Sequence, residues 1–307
     1  MRPVLGVTLK VMSALLFTAM ITMVKFIGGR VPVGEIVFAR TFIGLFPVLM
    51  LVAVRGQLTT ALKTDRPLGH VLRAVVGTSA MAMWFASLAR LPLPDATAIS
   101  YSAPLMTVAF AALLLGEQVR AYRWASVAIG FCGMLLIMSP HLGDFGGDGS
   151  SRAAEGVMFA VGAAVFMALA MIFVRKLTAT EQTGTIVIYF TATAAMLSLL
   201  TAPFGWVMPS PHDAALLVLM GLIGGIGQIL LTESYRYADA STIAPFDYTT
   251  LIWALIVGWL VFAEVPEWPV FLGSAIIIAA GMFVIYREHR LGIDRKAARE
   301  ARSPSRA

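Results

Sequence analysis

Between Ala96 and Gly116 the chain carries 21 consecutive residues without a formal charge, bounded by Asp95 and Glu117. An α-helix of that length crosses the roughly 30 Å hydrocarbon core of a lipid bilayer. The composition agrees, because 59% of the 307 residues are hydrophobic and 13% are charged, whereas soluble proteins have about 25% charged residues. The sequence therefore predicts an all-α integral membrane protein.

The middle of this segment is unusual for a helix surrounded by lipid, since it contains Ser100, Tyr101, Ser102 and Pro104. Pro104 leaves a backbone carbonyl without its usual donor, and a membrane tolerates such a defect where it faces protein or a water-filled cavity. Two interpretations stay open. Either this helix lines a substrate path, or it is a kinked packing helix whose serines bond their own carbonyls.

A related segment returns in the second half, from Ala240 to Glu264. Both segments run through small hydroxyl residues, an isoleucine, a proline, a tyrosine and an apolar stretch to a closing glutamate. Tyr101 and Glu117 match Tyr248 and Glu264 at a constant offset of 147. Two halves with similar membrane segments are typical of transporters built from repeats.

Apolar segments separated by polar or Gly/Pro breaks predict ten membrane helices. Their approximate bounds are 5–27, 33–54, 68–89, 95–116, 122–139, 153–174, 184–205, 213–235, 241–263 and 268–286. The longest polar interruption, 139–152, is rich in glycine and predicts a flexible linker. It separates a first repeat at 5–138 from a second at 153–286, and a basic tail at 287–307 is expected to be poorly ordered.

The distribution of positive charge predicts the orientation. Sixteen Lys and Arg residues fall on the side that holds both termini, and three fall on the opposite side. Cytoplasmic segments carry the positive excess, so both termini are predicted to be cytoplasmic, in a bacterial-type inner membrane. Because five helices per half is an odd number, the second half enters from the opposite face. Inverted halves around a central cavity suit alternating access.

Composition also argues against several classes of protein. The net charge of +6 sits at helix ends and in the tail, as membrane topology requires, so nucleic-acid binding is not expected. The single cysteine, Cys132, excludes an intramolecular disulfide and is expected in the core. The four histidines lie near span ends without a ligand spacing, so no metal site is expected. An intramembrane enzyme would need a nucleophile and base, or a metal, at mid-span.

The whole pattern resembles the drug/metabolite transporter superfamily with two EamA-type repeats. The resemblance covers 5–137 and 153–285, and it rests on the ten spans, on Glu35–Arg40 opening the second helix, on Pro94–Glu117 and on Tyr235–Glu264. It implies a secondary transporter of a small organic metabolite, with a central cavity, no cofactor and no catalysis. Members export amino acids and amines or import vitamins such as riboflavin. The sequence leaves open whether the chain forms a homodimer.

Charged residues inside membrane spans are costly, so each is a functional candidate. Lys25, Glu35 and Arg40 lie toward the outer side. They are interpreted either as an outer gate, in which Lys25 joins one of the other two, or as a salt-bridge network that fixes two helices. Toward the cytoplasmic side lie Lys10, Arg73, Glu233 and Asp247.

Asp247 is the strongest of these candidates, because it follows Pro245 in the second copy of the lining helix. A carboxylate there binds a substrate amine, takes up a proton, or pairs with Arg73 or Lys10 as an inner gate. The alternative is a structural ion pair. Glu117 and Glu264 close their helices and are expected to be turn residues rather than ligands.

The deeper aromatic residues predict the character of the substrate. Trp84, Tyr101, Tyr248 and Trp253, with Ser100 and Gln228 as hydrogen-bonding partners, suit a flat and largely neutral substrate held by stacking. This favours a riboflavin-like vitamin or another aromatic compound. The alternative cargo is an amino acid or amine, held by Arg40 or Arg73 together with Asp247. The glycines at 221, 224, 225 and 227 indicate close helix contact first and a hinge second.

Overall fold

The computed structural model describes residues 3–56, 58–116, 119–142, 151–238 and 243–302. These residues form helices joined by short connections, and no β-strand occurs among them. In those ranges nine helical segments are long and apolar enough to cross a membrane, and a tenth, Gly184–Leu199, is shorter. The predicted all-α membrane fold is confirmed.

The helices follow the predicted spans closely. In the first half they are α1 (Pro3–Ile27), α2 (Val33–Val54), the short α3 (Leu58–Ala61), α4 (Pro67–Leu88), α5 (Leu93–Ser100), α6 (Ala103–Leu115) and α7 (Ala121–Leu142). In the second half they are α8 (Ser151–Thr178), α9 (Thr183–Leu199), α10 (Pro211–Tyr237), α11 (Thr249–Phe262) and α12 (Trp268–Arg302). Two 3₁₀ turns, Ala202–Phe204 and Ala244–Tyr248, follow α9 and precede α11.

The fourth predicted span, 95–116, is broken at its centre. α5 ends at Ser100, and the next two residues, Tyr101 and Ser102, donate their backbone N–H groups to carbonyls three residues earlier. Pro104 explains the break, because it has no N–H to continue the helical ladder back to Ser100. The backbone defect predicted from Pro104 is present, although the prediction treated the span as one helix.

The ninth span is interrupted in the same way. Residues 239–242, where that span was predicted to begin, lie outside the described ranges, and the backbone that follows is a 3₁₀ turn containing Pro245. Only from Thr249 onward is the span α-helical. The two equivalent spans of the two halves are therefore both irregular where each approaches its tyrosine.

Several helix boundaries differ from the prediction; α8, for example, ends at Thr178 rather than at 174. α9 ends at Leu199 rather than at 205, where the 3₁₀ turn with Pro203 takes over. α12 continues to Arg302, beyond the predicted end of the tenth span at 286, and the Ala-, Arg-, Glu- and Lys-rich composition favours helix; the expectation of a poorly ordered tail stays a prediction. α7 runs three residues beyond its predicted end, to Leu142. The glycine-rich part of the predicted linker, 143–150, lies outside the described residues.

Helix packing repeats across the two halves. α1 packs against α10, and α8, its equivalent in the second half, packs against α4, the equivalent of α10. α7 packs against its own equivalent α12, and α2 packs against α9. Such an exchange of partners is what two repeats related by a two-fold axis produce. The contacts between halves therefore form the centre of the bundle.

Glycines allow the closest of these approaches. A Cβ on Gly221 would lie 2.6 Å from the Cβ of Ile43, and one on Gly225 would lie 2.7 Å from the carbonyl oxygen of Gly44. Both distances are shorter than real contacts, so α2 and α10 meet backbone to backbone. The prediction of close helix contact is confirmed at these two positions. Cys132, by contrast, is exposed on α7 rather than buried, because an apolar helix in a membrane bundle has an apolar outer face as well.

The topology generates a testable expectation. An even number of crossings places both termini on one side, and the positive-charge bias predicts that this side is the cytoplasm. Green fluorescent protein fused after Ala307 should fluoresce, and alkaline phosphatase at the same point should be inactive. A phosphatase fusion truncated after Met208, between α9 and α10, should be active. The opposite pattern at both points would show that the orientation is reversed.

Candidate functional site

Three of the predicted substrate-binding residues meet where the two irregular spans touch. The Tyr101 hydroxyl, after the end of α5, donates to the backbone carbonyl of Asp247 at 2.6 Å. The rings of Tyr101 and Tyr248 lie with their centroids 5.1 Å apart and tilted by 41°. A carbonyl in a 3₁₀ turn inside a membrane span needs such a donor, because lipid supplies none. A side chain from the first backbone break thus supplies a donor to a carbonyl of the second.

Lys10 of α1 completes this cluster, which we call the central junction (Lys10, Tyr101, Asp247 and Tyr248). Its Nζ lies 2.5 Å from Oδ1 of Asp247 and 5.3 Å from the ring centroid of Tyr235. Of the two partners suggested for Asp247, Lys10 is the one that binds it. The Lys10 side chain is 3% exposed, whereas that of Asp247 is 47% exposed. The Asp247 carboxylate is therefore accessible on one side, whereas the Lys10 ammonium is buried.

A second ion pair lies near the other end of α1. Nζ of Lys25 is 2.7 Å from Oε1 of Glu264 and donates to the carbonyl of Leu91 at 2.6 Å. The other carboxylate oxygen of Glu264 accepts the backbone N–H of Leu93 at 2.8 Å, at the first residue of α5. Lys25 therefore joins neither Glu35 nor Arg40. Glu264 lies in the turn that closes α11, as expected, and its carboxylate in addition joins three segments.

The two lysines connect α1 to both ends of the ninth span. Lys10 and Lys25 are 15 residues apart, which corresponds to about 22 Å along a helix. Their partners precede and follow α11. Two ion pairs, at two different depths, thus hold α1 of the first half against the ninth span of the second half. Glu117, the counterpart of Glu264, lies outside the described residues.

The other members of the predicted outer gate are held separately. A carboxylate oxygen of Glu35 accepts the backbone N–H of Val207 at 3.2 Å. Arg40 is buried beside α10, where a Cβ on Gly224 would lie 3.6 Å from its Nε. Glu35 and Arg40 form no ion pair within the described ranges. The structure therefore does not bring Lys25, Glu35 and Arg40 together, because Lys25 and Glu35 bind groups on another span and on a loop.

Glu233 serves as a tie between helices. Its carboxylate binds Arg55 just after α2 at 2.7 Å and lies 3.8 Å from Arg236 one turn along α10. The hydrogen bond to Glu233 raises the pKa of Arg55. Glu233 therefore holds the ends of α2 and α10 together. It takes no part in the central junction.

The remaining predicted residues lie around the junction without bonding to it. The Ser100 hydroxyl donates to the carbonyl of Thr97 at 2.7 Å, as in the alternative of a serine that bonds its own helix. Trp84 packs against the main apolar core. The indole N–H of Trp253 is buried and has no hydrogen-bond partner in the described part of the chain, and Gln228 is half-buried.

Gly281 is a contributor that the sequence analysis missed. The Tyr248 hydroxyl occupies the space where a Cβ of residue 281 would stand. Any side chain there would displace the ring from Tyr101. A lone glycine in an apolar stretch was the available signal, but nothing in the sequence tied it to Tyr248.

A polar pocket of about 250 Å³ opens between the loops that precede α4 and α9. Its lining residues come from those loops, and none is a predicted site residue; they are Lys63, Thr64, Asp65, Thr180, Glu181, Gln182 and Thr185. Burial opposes ionisation of Glu181, but hydrogen bonds from Thr64 and the backbone of Asp65 outweigh it, so its pKa lies below the ordinary value. These bonds anchor the α8–α9 loop to the first half.

A bundle that repeats its packing across two halves and keeps ion pairs inside its spans has the features of a multi-pass membrane transporter. The EamA-like transporter family model matches the chain twice, at residues 4–139 and 154–287. The chain belongs to the EamA-like transporter family.

Named relatives of the chain are bacterial transporters. The S-adenosylmethionine uptake transporter of Rickettsia prowazekii is 31% identical over 87% of this chain and 88% of its own length. The pseudopaline exporter of Pseudomonas aeruginosa is 30% identical over 90% and 94%. The riboflavin transporter of Rhizobium johnstonii is 31% identical over 75% and 74%. A solved crystal structure with 21% identity superposes with a TM-score of 0.63 over 94% of this chain and 99% of its own, which supports the fold.

The unequal exposure of the junction ion pair predicts unequal effects of removing each partner. Asp247→Asn strands the ammonium of a sealed lysine, which costs about 3 kcal/mol in buried pairs. Lys10→Met leaves a carboxylate that is still half exposed and so costs less. Thermal unfolding of the detergent-solubilised protein should therefore show the larger loss for Asp247→Asn. Glu155→Gln, which removes an exposed partner of Arg90, should have little effect. Equal losses for the two junction variants would contradict this account.

Proposed function

We propose that the protein is a secondary transporter that carries a small organic metabolite across the inner membrane by alternating access, with both termini in the cytoplasm. The observation that carries this proposal is the central junction. Asp247 presents a half-exposed carboxylate beside the contact between the two irregular spans. A charge with an open side at that depth has a use only if polar cargo or water reaches it. We place the cargo there, in a cavity between the two halves.

The two ion pairs of α1 supply the gating step of the proposal. The Lys10–Asp247 pair lies toward the predicted cytoplasmic side, and the Lys25–Glu264 pair lies toward the outside. Opening a path on one side requires α1 to part from the ninth span on that side, so the pair there must separate. A cationic group on the cargo lowers the cost at the inner pair, because it keeps the Asp247 carboxylate paired when α1 carries the Lys10 ammonium away from it. The outer pair stays closed meanwhile.

The charges of the junction favour a charged cargo over the neutral, flat compound that the aromatic residues alone suggested. Asp247 suits an ammonium or sulfonium group, and the rings of Tyr101 and Tyr248 suit an adjacent planar ring. S-adenosylmethionine carries a sulfonium, an amino-acid group and an adenine. A relative named as its uptake transporter is 31% identical to this chain. We therefore propose S-adenosylmethionine, or a zwitterion of similar build, as the first candidate.

Riboflavin is the second candidate, favoured by a different observation. The tyrosine pair and the buried, unpartnered indole N–H of Trp253 offer stacking and a hydrogen-bond donor to a neutral isoalloxazine ring. This cargo would leave Lys10 and Asp247 paired throughout. The two candidates therefore differ in their dependence on Asp247. No catalytic step is proposed for either.

The test is transport into proteoliposomes loaded with the full-length protein. Labelled S-adenosylmethionine, riboflavin and a panel of amino acids and amines are offered separately, with and without an imposed proton gradient. For a cationic cargo, Asp247→Asn should lower uptake at least about tenfold, since it removes a charge-assisted contact. Tyr101→Phe should lower it less, because only the bond to the Asp247 carbonyl is lost.

Matched controls separate this result from general damage. Glu155→Gln removes another carboxylate, and Tyr286→Phe removes an exposed tyrosine hydroxyl of α12; both should transport normally. Full transport by both junction variants would show that the site is wrong. Riboflavin uptake that survives Asp247→Asn, without uptake of S-adenosylmethionine, would favour the second candidate.

A further inference from the structure

The Arg73 side chain lies in a narrow space between α4 and α9, which we call the slot. Its guanidinium carbon lies 4.1 Å from the ring centroid of Phe190 on α9. One helical turn beyond Arg73, a Cβ on Gly77 would overlap Nη1 of the guanidinium. Glycine at 77 is therefore what allows the side chain to lie flat along α4. The slot consists of Arg73, Gly77 and Phe190.

Two of the three nitrogens of this guanidinium have unused donors. Nε and Nη1 are buried, and neither has a hydrogen-bond partner within the described residues. An arginine stays charged in a protein, and buried charged donors are costly to leave unpaired. Phe190 does not resolve this cost, because an aromatic ring attracts the flat face of a guanidinium while its N–H bonds point outward from the edge.

The carboxylate that the structure places beside this part of α4 is already engaged. Glu181 lies 3.9 Å from Nε2 of His70, three residues before Arg73. Its Oε1 also accepts hydrogen bonds from the Thr64 hydroxyl at 2.8 Å and the Asp65 backbone at 3.1 Å. Glu181 thus closes the loop above α4 and does not reach the slot. Within the described residues, no carboxylate is bonded to Nε or Nη1 of Arg73, and a ligand from outside the chain would supply the missing acceptor.

In the predicted topology, helix geometry also places Arg73 at about the depth of Lys10. Arg73 follows Pro67, the first residue of α4, by six positions, and Lys10 follows Pro3, the first residue of α1, by seven. These offsets correspond to about 9 and 10 Å along helices that begin on the same side of the predicted topology. A cargo whose cation reaches Asp247 has its other groups at the level of Arg73.

We infer that Arg73 binds an oxyanion of the cargo, so that the transported metabolite carries a carboxylate or phosphate group. The inference rests on the proposed function and narrows its substrate class. Guanidinium groups hold carboxylate and phosphate by charge-assisted hydrogen bonds. Together with Asp247, Arg73 gives the path one partner for each charge of a zwitterion. A neutral flavin leaves the Arg73 donors unpaired throughout transport.

The experiment compares pairs of compounds that differ in one anionic group. The pairs are S-adenosylmethionine and its decarboxylated form, lysine and cadaverine, and flavin mononucleotide and riboflavin. Uptake and competition are measured in proteoliposomes with wild-type protein, Arg73→Gln and Arg73→Lys. In at least one pair, the wild type should favour the anionic member by about tenfold or more, the size of one charge-assisted contact. Arg73→Gln should remove that preference, and Arg73→Lys should retain part of it.

Controls keep a folding defect apart from a binding defect. Each variant is checked by its yield in the membrane and by its melting temperature in detergent, and Arg90→Gln serves as a matched loss of an arginine outside the slot. An anionic lipid headgroup is the other source of an oxyanion, so the assay is run with and without phosphatidylglycerol. An Arg73→Gln defect that follows the lipid and not the cargo would overturn the inference.

The remaining outcomes also discriminate. Equal losses for both members of a pair in Arg73→Gln would assign Arg73 a purely structural role beside Phe190. Wild-type uptake confined to the anion-free members would overturn the inference while leaving the proposed transporter intact. Absence of wild-type transport for every compound would instead count against the proposed function, and the inference would fall with it.

Discussion

The packing of the two halves depends on two lysines of α1, because an unpaired ammonium group inside a membrane is costly. Both find carboxylates on the ninth span, one before α11 and one after it. These pairs fix the depth and the rotation of α1 against the second half of the chain. Glu264 adds the backbone N–H at the start of α5, so a single carboxylate sets the positions of α1, α5 and α11. The packing between the halves is built around these contacts.

The Tyr101 hydroxyl has a comparable role for the backbone. Prolines at 104 and 245 interrupt the ladders of two equivalent spans, and each interruption leaves polar groups that lipid does not satisfy. The Tyr101 hydroxyl donates to the backbone carbonyl of Asp247 within the second of these interruptions, and the side chain of the same residue pairs with Lys10. The irregular backbone and the charged centre are therefore one arrangement, and neither is explained without the other.

Much of the fold was predictable from the sequence, because each uncharged run has the length that a bilayer requires and each Pro/Gly break has a local cause. A backbone defect in the fourth span was predictable from Pro104, but the division into two helices was not. The pairing of Lys25 was not predictable, since Glu35 and Arg40 are nearer in sequence and the choice of Glu264 depends on which helices pack together. Cys132 was misplaced for a related reason. In soluble proteins a small residue in an apolar run usually belongs to the core. Here both faces of α7 are apolar, so the run does not show which face is buried.

The site was predictable in part. Tyr101 and Tyr248 were found through the repeat, because they match at a constant offset of 147, and Asp247 was found as a charge that follows Pro245 in the second copy. Gly77 and Gly281 were not found, since a glycine reveals its purpose only when the side chain that fills its missing Cβ is known. The unpaired N–H donors of Arg73 were likewise not predictable from the sequence. A sequence shows which charges are present, but only the packing shows which ones have no partner.

The spacing of the two ion pairs has a mechanical consequence. If one ion pair separates and the other stays intact, α1 rotates about the intact pair. The distance between the two lysines is then the arm of that rotation. With an arm of about 22 Å, a tilt of about 10° moves the free end by about 4 Å. That displacement is comparable to the thickness of an aromatic ring. A small rotation of α1 alone is therefore enough to admit a planar molecule on one side of the bilayer.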